Sequence, residues 1–386
     1  MTLSEFICKD PFRLFFPFGS CLAIAGVFPW ALLVLGFPSY PVEFHRSVMM
    51  NGFMLSFVAG FLMTAVPRFT SAEIAKVHEI LFVFSAILIA AVLEFSGFQS
   101  YHHLGATCAL AGLIFFAIRR FRSRKANPPY SFVFLGLGLM LWFLANLFLF
   151  LEWTPIRDGS RSIWSEILSN GAMMSIVLGV GGRLIPGILG WTEIVSVQRE
   201  RYEKAPTFAL AVPAVIWILV VLYLLSFLLL GVLPFQACLI LRLLVIAYFA
   251  VSFWKLYRPP FEKTRLSWGI WISCWCFLVG AFLTAFFTDS YVHVLHSSLI
   301  GGFSLLTILV ATRVTLAHGP EGKALEKSSK IIPIFALFLL FALFTRVTAP
   351  MIPSSYLSHL SYAAILWMAG FLFWMFLAIP RMWKKP

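Results

Sequence analysis

The side chains with chemistry to offer are few, and the histidines lead them. Six of the eight, His45, His102, His103, His293, His296 and His359, fall where an apolar segment begins. All six lie at the same boundary of the alternating pattern set out below, while His78 and His318 lie at the other. His293 and His296 are spaced i, i+3 and so share a helix face. Neutral imidazole is the commonest metal ligand, for haem iron as for copper, so a metal centre near that boundary is the chemistry to look for. Each histidine taken singly also suits an interfacial residue with a wet tip, and His102-His103, in a four-residue turn, is read that way. His45 with His296 makes the stronger case. They enter segments far apart in sequence from the same side and are expected to ligate one centre, with His293 as the alternative one turn away and His102 or His103 as a more distant one. Met49, Met50, Met173 and Met174 carry sulfur that copper accepts, but methionine is also ordinary apolar filler. Cys274 and Cys276 point about 200° apart on a helix, and no CxxCH marks a covalent haem.

Three arginines complete the set. Arg68, Arg183 and Arg313 each close a segment after a stretch of small residues. Arg68 and Arg313 read as flanking charges. Arg183, in Gly181-Gly182-Arg183-Leu184-Ile185-Pro186, is followed by further apolar sequence, so it needs a partner such as a helix-end carbonyl or a haem propionate. Glu94, Glu152 and Asp289 lie at segment ends, placed either to orient a histidine ring nitrogen or to be solvated.

These residues sit on an almost wholly apolar chain. Of 386 residues 61% are hydrophobic and only 12% charged, against roughly 25% charged in soluble domains. Soluble, disordered and collagen-like classes are thereby excluded. Twelve apolar segments follow one another: 14–36, 47–66, 78–97, 102–118, 131–151, 166–189, 207–230, 234–254, 267–287, 291–312, 331–349 and 359–379. Each suits a helix crossing ~30 Å of hydrocarbon, where backbone groups have no water partner. Lys and Arg alternate sharply between the connections: 23 of the 29 lie on one side, with Arg46, Arg157 and Arg161 on the other and Arg183, Arg242 and Arg346 within segments. The positive-inside rule then places both termini in the cytoplasm and the six histidines near the outer face. The net charge of +13 is accordingly a topology signal and not a nucleic-acid patch. The first segment, ending in Gly36-Phe37-Pro38, lacks a small-x-small cleavage site and reads as an uncleaved span. No connection is long enough to fold alone. The expectation is an all-α integral membrane protein, about twelve helices in one bundle, residues 1–386 forming a single polytopic domain.

Four stretches, in order, resemble the NnrS family of polytopic bacterial membrane proteins, described as containing haem and copper and linked to nitric oxide stress. Pro11-Phe12-Arg13-Leu14-Phe15-Phe16 is similar to that family's PFRPFF start. Val58 to Pro67 resembles its AGFLLTAVP stretch, and Gly182-Arg183-Leu184-Ile185-Pro186 its GRxxP element. His296, Gly301 and Arg313-Val314-Thr315-Leu316-Ala317-His318 resemble HxxxxG…RVTLGH with matching spacing. The resemblance implies a haem- and copper-binding protein of the bacterial inner membrane acting in the nitrosative stress response. It implies a b-type haem, with nitric oxide or a redox partner as partners besides the bilayer. His45 matches the first histidine of the family's WHxHE entry to the second segment, but Ser47 and Val48 replace the second histidine and the acid. That departure weighs against copper more than against haem. After His318 the family's GHTGR becomes Ala317-His318-Gly319-Pro320-Glu321.

The expected site residues are thus His45, His293, His296 and Arg183 for a haem, and His45, His296 and His318 for a metal. No residue assigns a reaction. Two other classes compete: a twelve-span secondary transporter, whose midplane polar site would rest on Arg183 and Arg242, and a haem–copper oxidase-like subunit. The latter would lack the full copper site, because 166–189 and 207–230 hold no histidine.

Overall fold

A computed structural model describes residues 2–36, 41–153, 157–158, 161–319, 322 and 324–384. Phe37, Pro38, Pro320 and Glu321, named above, lie outside the described residues. The twelve segments all appear as helix, and eleven are long and apolar enough to span a bilayer: Phe12–Ala31, Val42–Thr70, Val77–Phe95, Gln99–Arg122, Phe132–Phe150, Ile163–Leu189, Phe235–Ser252, Arg265–Phe286, Thr288–Ala317, Ile331–Met351 and Pro353–Met382. We number the helices as spans 1–12 in chain order, span 7 being the exception. There the expected 207–230 is broken into Phe208–Ala211 and Ala214–Leu228. Pro213 explains the break: its ring pushes the preceding residue out of the helical region, and Val212 is extended. The remaining helix is about 22 Å long, short of the hydrocarbon thickness. Span 4 begins at Gln99, so His102 and His103 lie within its first turns and not in a connecting turn.

Spans 2, 6 and 10 differ from the rest. In their most apolar stretches 89, 78 and 72% of residues are buried, against 28 to 50% in the other eight long helices. These three are enclosed by protein, while the others turn one face to lipid. Each also contains a π-helical stretch near its start: Val48–Met54, Ile167–Gly171 and Ser297–Ser304. A π-turn widens the helix by one residue, re-aims the side chains before it and frees a carbonyl.

The chain groups into two compact units. The first comprises Met1–Ala23, Arg46–Leu184 and Thr192–Pro234; the second comprises Ile24–His45, Ile185–Trp191 and Phe235–Pro386. In the first unit, two of the sequence motifs meet. Gly60 lets the Phe12–Phe16 helix start approach so closely that a Cβ there would stand 3.1 Å from the Phe12 Cα. The Phe12 amide donates to Thr64 Oγ1 at 3.2 Å, and that hydroxyl donates to Gly60 O at 2.8 Å. Arg13 is buried over the Phe6 ring and grips Asp10, which also takes Arg68 at 2.7 Å. In the second unit, Ser273 Oγ donates to Gly301 O at 2.6 Å, so span 9 caps a carbonyl of the span 10 π-turn.

Candidate functional site

In the second unit the starts of spans 2 and 10 and the end of span 11 bring His45, His293 and His296 together with Arg346. His296 lies within electrostatic reach of Arg346, His45 and His293, and His45 within that of Arg346. His45 Nδ1–H donates to Gly26 O at 2.9 Å, and its ring meets Trp30 edge-on at 5.7 Å. His296 Nδ1–H donates to Val292 O at 2.6 Å. A carbonyl only accepts, so both rings carry their proton on Nδ1 and present Nε2 as a lone pair. No described residue takes either Nε2. This is how a ligating imidazole is normally held, its far nitrogen fixed by a second group.

His293 is held the other way. Arg346 donates to His293 Nδ1 at 2.7 Å. A guanidinium only donates, so His293 accepts through Nδ1 and carries its proton on Nε2. It packs edge-on against Tyr356. Of the two expected partners for His45, the structure therefore leaves His296 able to ligate and occupies His293. His359, whose Nδ1–H donates to Ser355 O at 2.9 Å, adds another imidazole at the start of span 12.

His318 stands elsewhere. It follows the end of the span that carries His296, about 33 Å further along its axis at 1.5 Å per residue, and donates from Nδ1 to Val314 O. It shares no centre with His296. Among the described residues, no three His, Cys, Asp or Glu side chains are grouped to hold a metal ion.

A second polar cluster lies in the first unit. Asn51, in the π-turn of span 2, and Asn146, on span 5, face each other as paired amides. Asn51 Nδ2 donates to Asn146 Oδ1 at 2.7 Å, and Asn146 Nδ2 to Asn51 Oδ1 at 3.1 Å. Asn51 Nδ2 also donates to His102 Nε2 at 3.0 Å, and Asn51 Oδ1 accepts from Trp142 Nε1 at 2.9 Å. Asn146 Nδ2 reaches Trp142 O at 3.0 Å, and Asn146 Oδ1 accepts from His103 Nδ1 at 2.8 Å. Each amide thus fills its two donors and two acceptor positions. His102 Nδ1–H donates to Ala90 O at 3.0 Å with Glu94 Oε2 3.6 Å away, so both its ring nitrogens are engaged. His102 is 1% exposed. It is a buried link in a network, which corrects its reading as a wet-tipped interfacial residue.

The three arginines separate in the same way. Arg68 holds Asp10, and Arg313 holds Glu326. Arg183 makes no hydrogen bond or ion pair with any described residue, and its Nε is buried. Asn170, in the π-turn of span 6, is fully buried with neither amide atom partnered among the described residues. Sequence reasoning passed over Asn51, Asn146, Asn170 and the pairing of Arg346. The available signal was an amide or guanidinium inside an apolar run, which always needs a partner.

The family model for NnrS protein matches residues 7–385. No curated protein matches the chain.

Proposed function

The chain belongs to the NnrS family, and from that premise we propose that it is a haem-binding protein of the bacterial inner membrane serving the nitric oxide stress response. A b-type haem is held near the outer face, with both chain termini in the cytoplasm. One observation carries the reading: His45 and His296, electrostatic neighbours in one unit, each have Nδ1 fixed on a backbone carbonyl and Nε2 untaken. Those two nitrogens would hold the haem iron. Arg346, beside them, supplies a positive charge suited to a propionate, and His293 offers its Nε2–H. A haem bound here would supply one-electron redox chemistry; Trp30 packs edge-on against the His45 ring. Copper does not fit as well. Ser47, where the family carries a histidine, is buried, and no three-ligand group is present among the described residues.

The test is an optical spectrum of the purified protein, then of His45→Ala and His296→Ala. A Soret band in the parent and its loss in both variants support the shared site. Because neutral imidazole must ligate, haem affinity falls as pH drops through the histidine range. No Soret band in the parent favours the transporter reading, and full haem retention in both variants removes the two ligands.

A further inference from the structure

We propose that Arg183 is the anchor of a phosphate-oxyanion site at the inner end of span 6, filled by the headgroup of an acidic phospholipid. Three observations in the first unit point there. The guanidinium makes no hydrogen bond or ion pair with any described residue, and its Nε–H is shut off from solvent. Its counterpart Arg68, closing span 2 in the same unit, holds a carboxylate at 2.7 Å. An arginine inside a protein seldom stays unpaired, because an orphaned charged donor costs more than a neutral one. The third observation is depth. The helix Thr192–Lys204 folds back on the span: buried Gln198 donates from Nε2 to Gly182 O at 2.9 Å, one residue from Arg183.

That helix has the character of an interfacial one. Gln198 and Tyr202 are buried, Val197 is exposed, and Arg199–Glu203 and Glu200–Lys204 pair on its outer side. Its anchoring beside Arg183 puts the guanidinium at the boundary between acyl chains and headgroups, where lipid phosphates lie. The connections at this end of the spans carry the basic excess, the side on which acidic lipids are attracted. The planar fork of an arginine matches a phosphate bidentately, and the half-buried setting limits screening.

The experiment uses the full chain in a mild neutral detergent. Thermal midpoints are read while phosphatidylglycerol, phosphatidylcholine or inorganic phosphate is titrated, with bound lipid counted by native mass spectrometry. Phosphatidylglycerol is expected to stabilise the parent at concentrations about tenfold lower than it does Arg183→Gln, the size of one lost charge-assisted bond. Arg183→Lys, which keeps the charge without the fork, should lie between and guards against a variant that merely misfolds. A response to phosphatidylglycerol but not to inorganic phosphate identifies the lipid as the source. An equal response to both supports the oxyanion site with free phosphate as its source. No response of the parent to either probe overturns the proposal. So does an Arg183→Gln protein that keeps the full lipid response, or one that loses haem while its lipid response is unchanged. Haem content is read on every variant alongside the lipid response, which keeps this test separate from that of the histidine site.

Discussion

The polar cluster of the first unit and that of the second both carry histidines and end in opposite states. Around Asn51 every donor and acceptor of two amides is matched, and both nitrogens of His102 are engaged. Around His296 the rings are fixed at one nitrogen and left open at the other. A saturated network has nothing to give a ligand; it ties spans 2, 4 and 5 together. An imidazole pinned on one side and open on the other is prepared for one. Histidine content therefore says little about a site until the second nitrogen of each ring is followed.

The largest effect should come from cutting across that contrast. His45→Ala and His296→Ala each abolish haem binding, while His102→Ala and His103→Ala keep it and lower the unfolding midpoint instead. Haem content and thermal midpoint, measured on all four proteins, place each residue in one class or the other. Loss of haem in His102→Ala with His45→Ala unaffected would reverse the assignment of the two clusters.

Next in size is Asn51→Leu. It strands His102 Nε2 and the Trp142 indole N–H in a dry interior and takes one of two partners from each side of the Asn146 amide. With each orphaned group costing roughly 1–3 kcal/mol, the variant should lose on the order of 4 kcal/mol or more. Denaturant unfolding in detergent measures it. A loss below about 1 kcal/mol would mean that water enters and the network is not closed.

In the second unit, Arg346→Gln removes a cation beside the proposed haem and frees His293 Nδ1. A nearby positive charge favours the reduced iron, so its removal should lower the haem midpoint potential by tens of millivolts, roughly what one partly screened charge delivers. Haem content stays the same. An unchanged potential would separate Arg346 from the haem site.

Much of the fold was legible because hydrocarbon thickness imposes a run length that apolar sequence must fill. Loop arginines and lysines gave the alternation that grouped His45 with His296. The distinctness of spans 2, 6 and 10 was also visible, in their small residues and closing arginines. The π-turns left no such mark, since a shift from i→i+4 to i→i+5 bonding needs no special residue. Pro213 did mark the break in span 7, but the apolar run continues across it. Asn51 and Asn146 are 95 residues apart, and nothing local announces their pairing. His318 was grouped with metal ligands through its motif, although the helix that carries the motif sets it at the far end from His296.

The smallest predicted effect bears on the sharpest form of the comparison. Asn51-Gly52 and Asn170-Gly171 both lie in π-turns of the first unit, and both asparagines are fully buried. One is fully paired; the other has no partner among the described residues. The Gly171 carbonyl beside Asn170 is already taken by the Tyr223 hydroxyl at 2.5 Å, so it offers the amide little. Leucine, with the same branching at Cγ though a larger volume, removes a desolvation penalty and leaves no orphan behind. Asn170→Leu should then be neutral or stabilising by up to about 2 kcal/mol, the cost of an unmet amide. Paired midpoints of Asn170→Leu and Asn51→Leu in the same detergent read the difference, with opposite signs expected. If both variants lose several kcal/mol, Asn170 is bonded after all, to water or a small polar ligand in the span 6 π-turn. The contrast between a closed and an open amide would then fall.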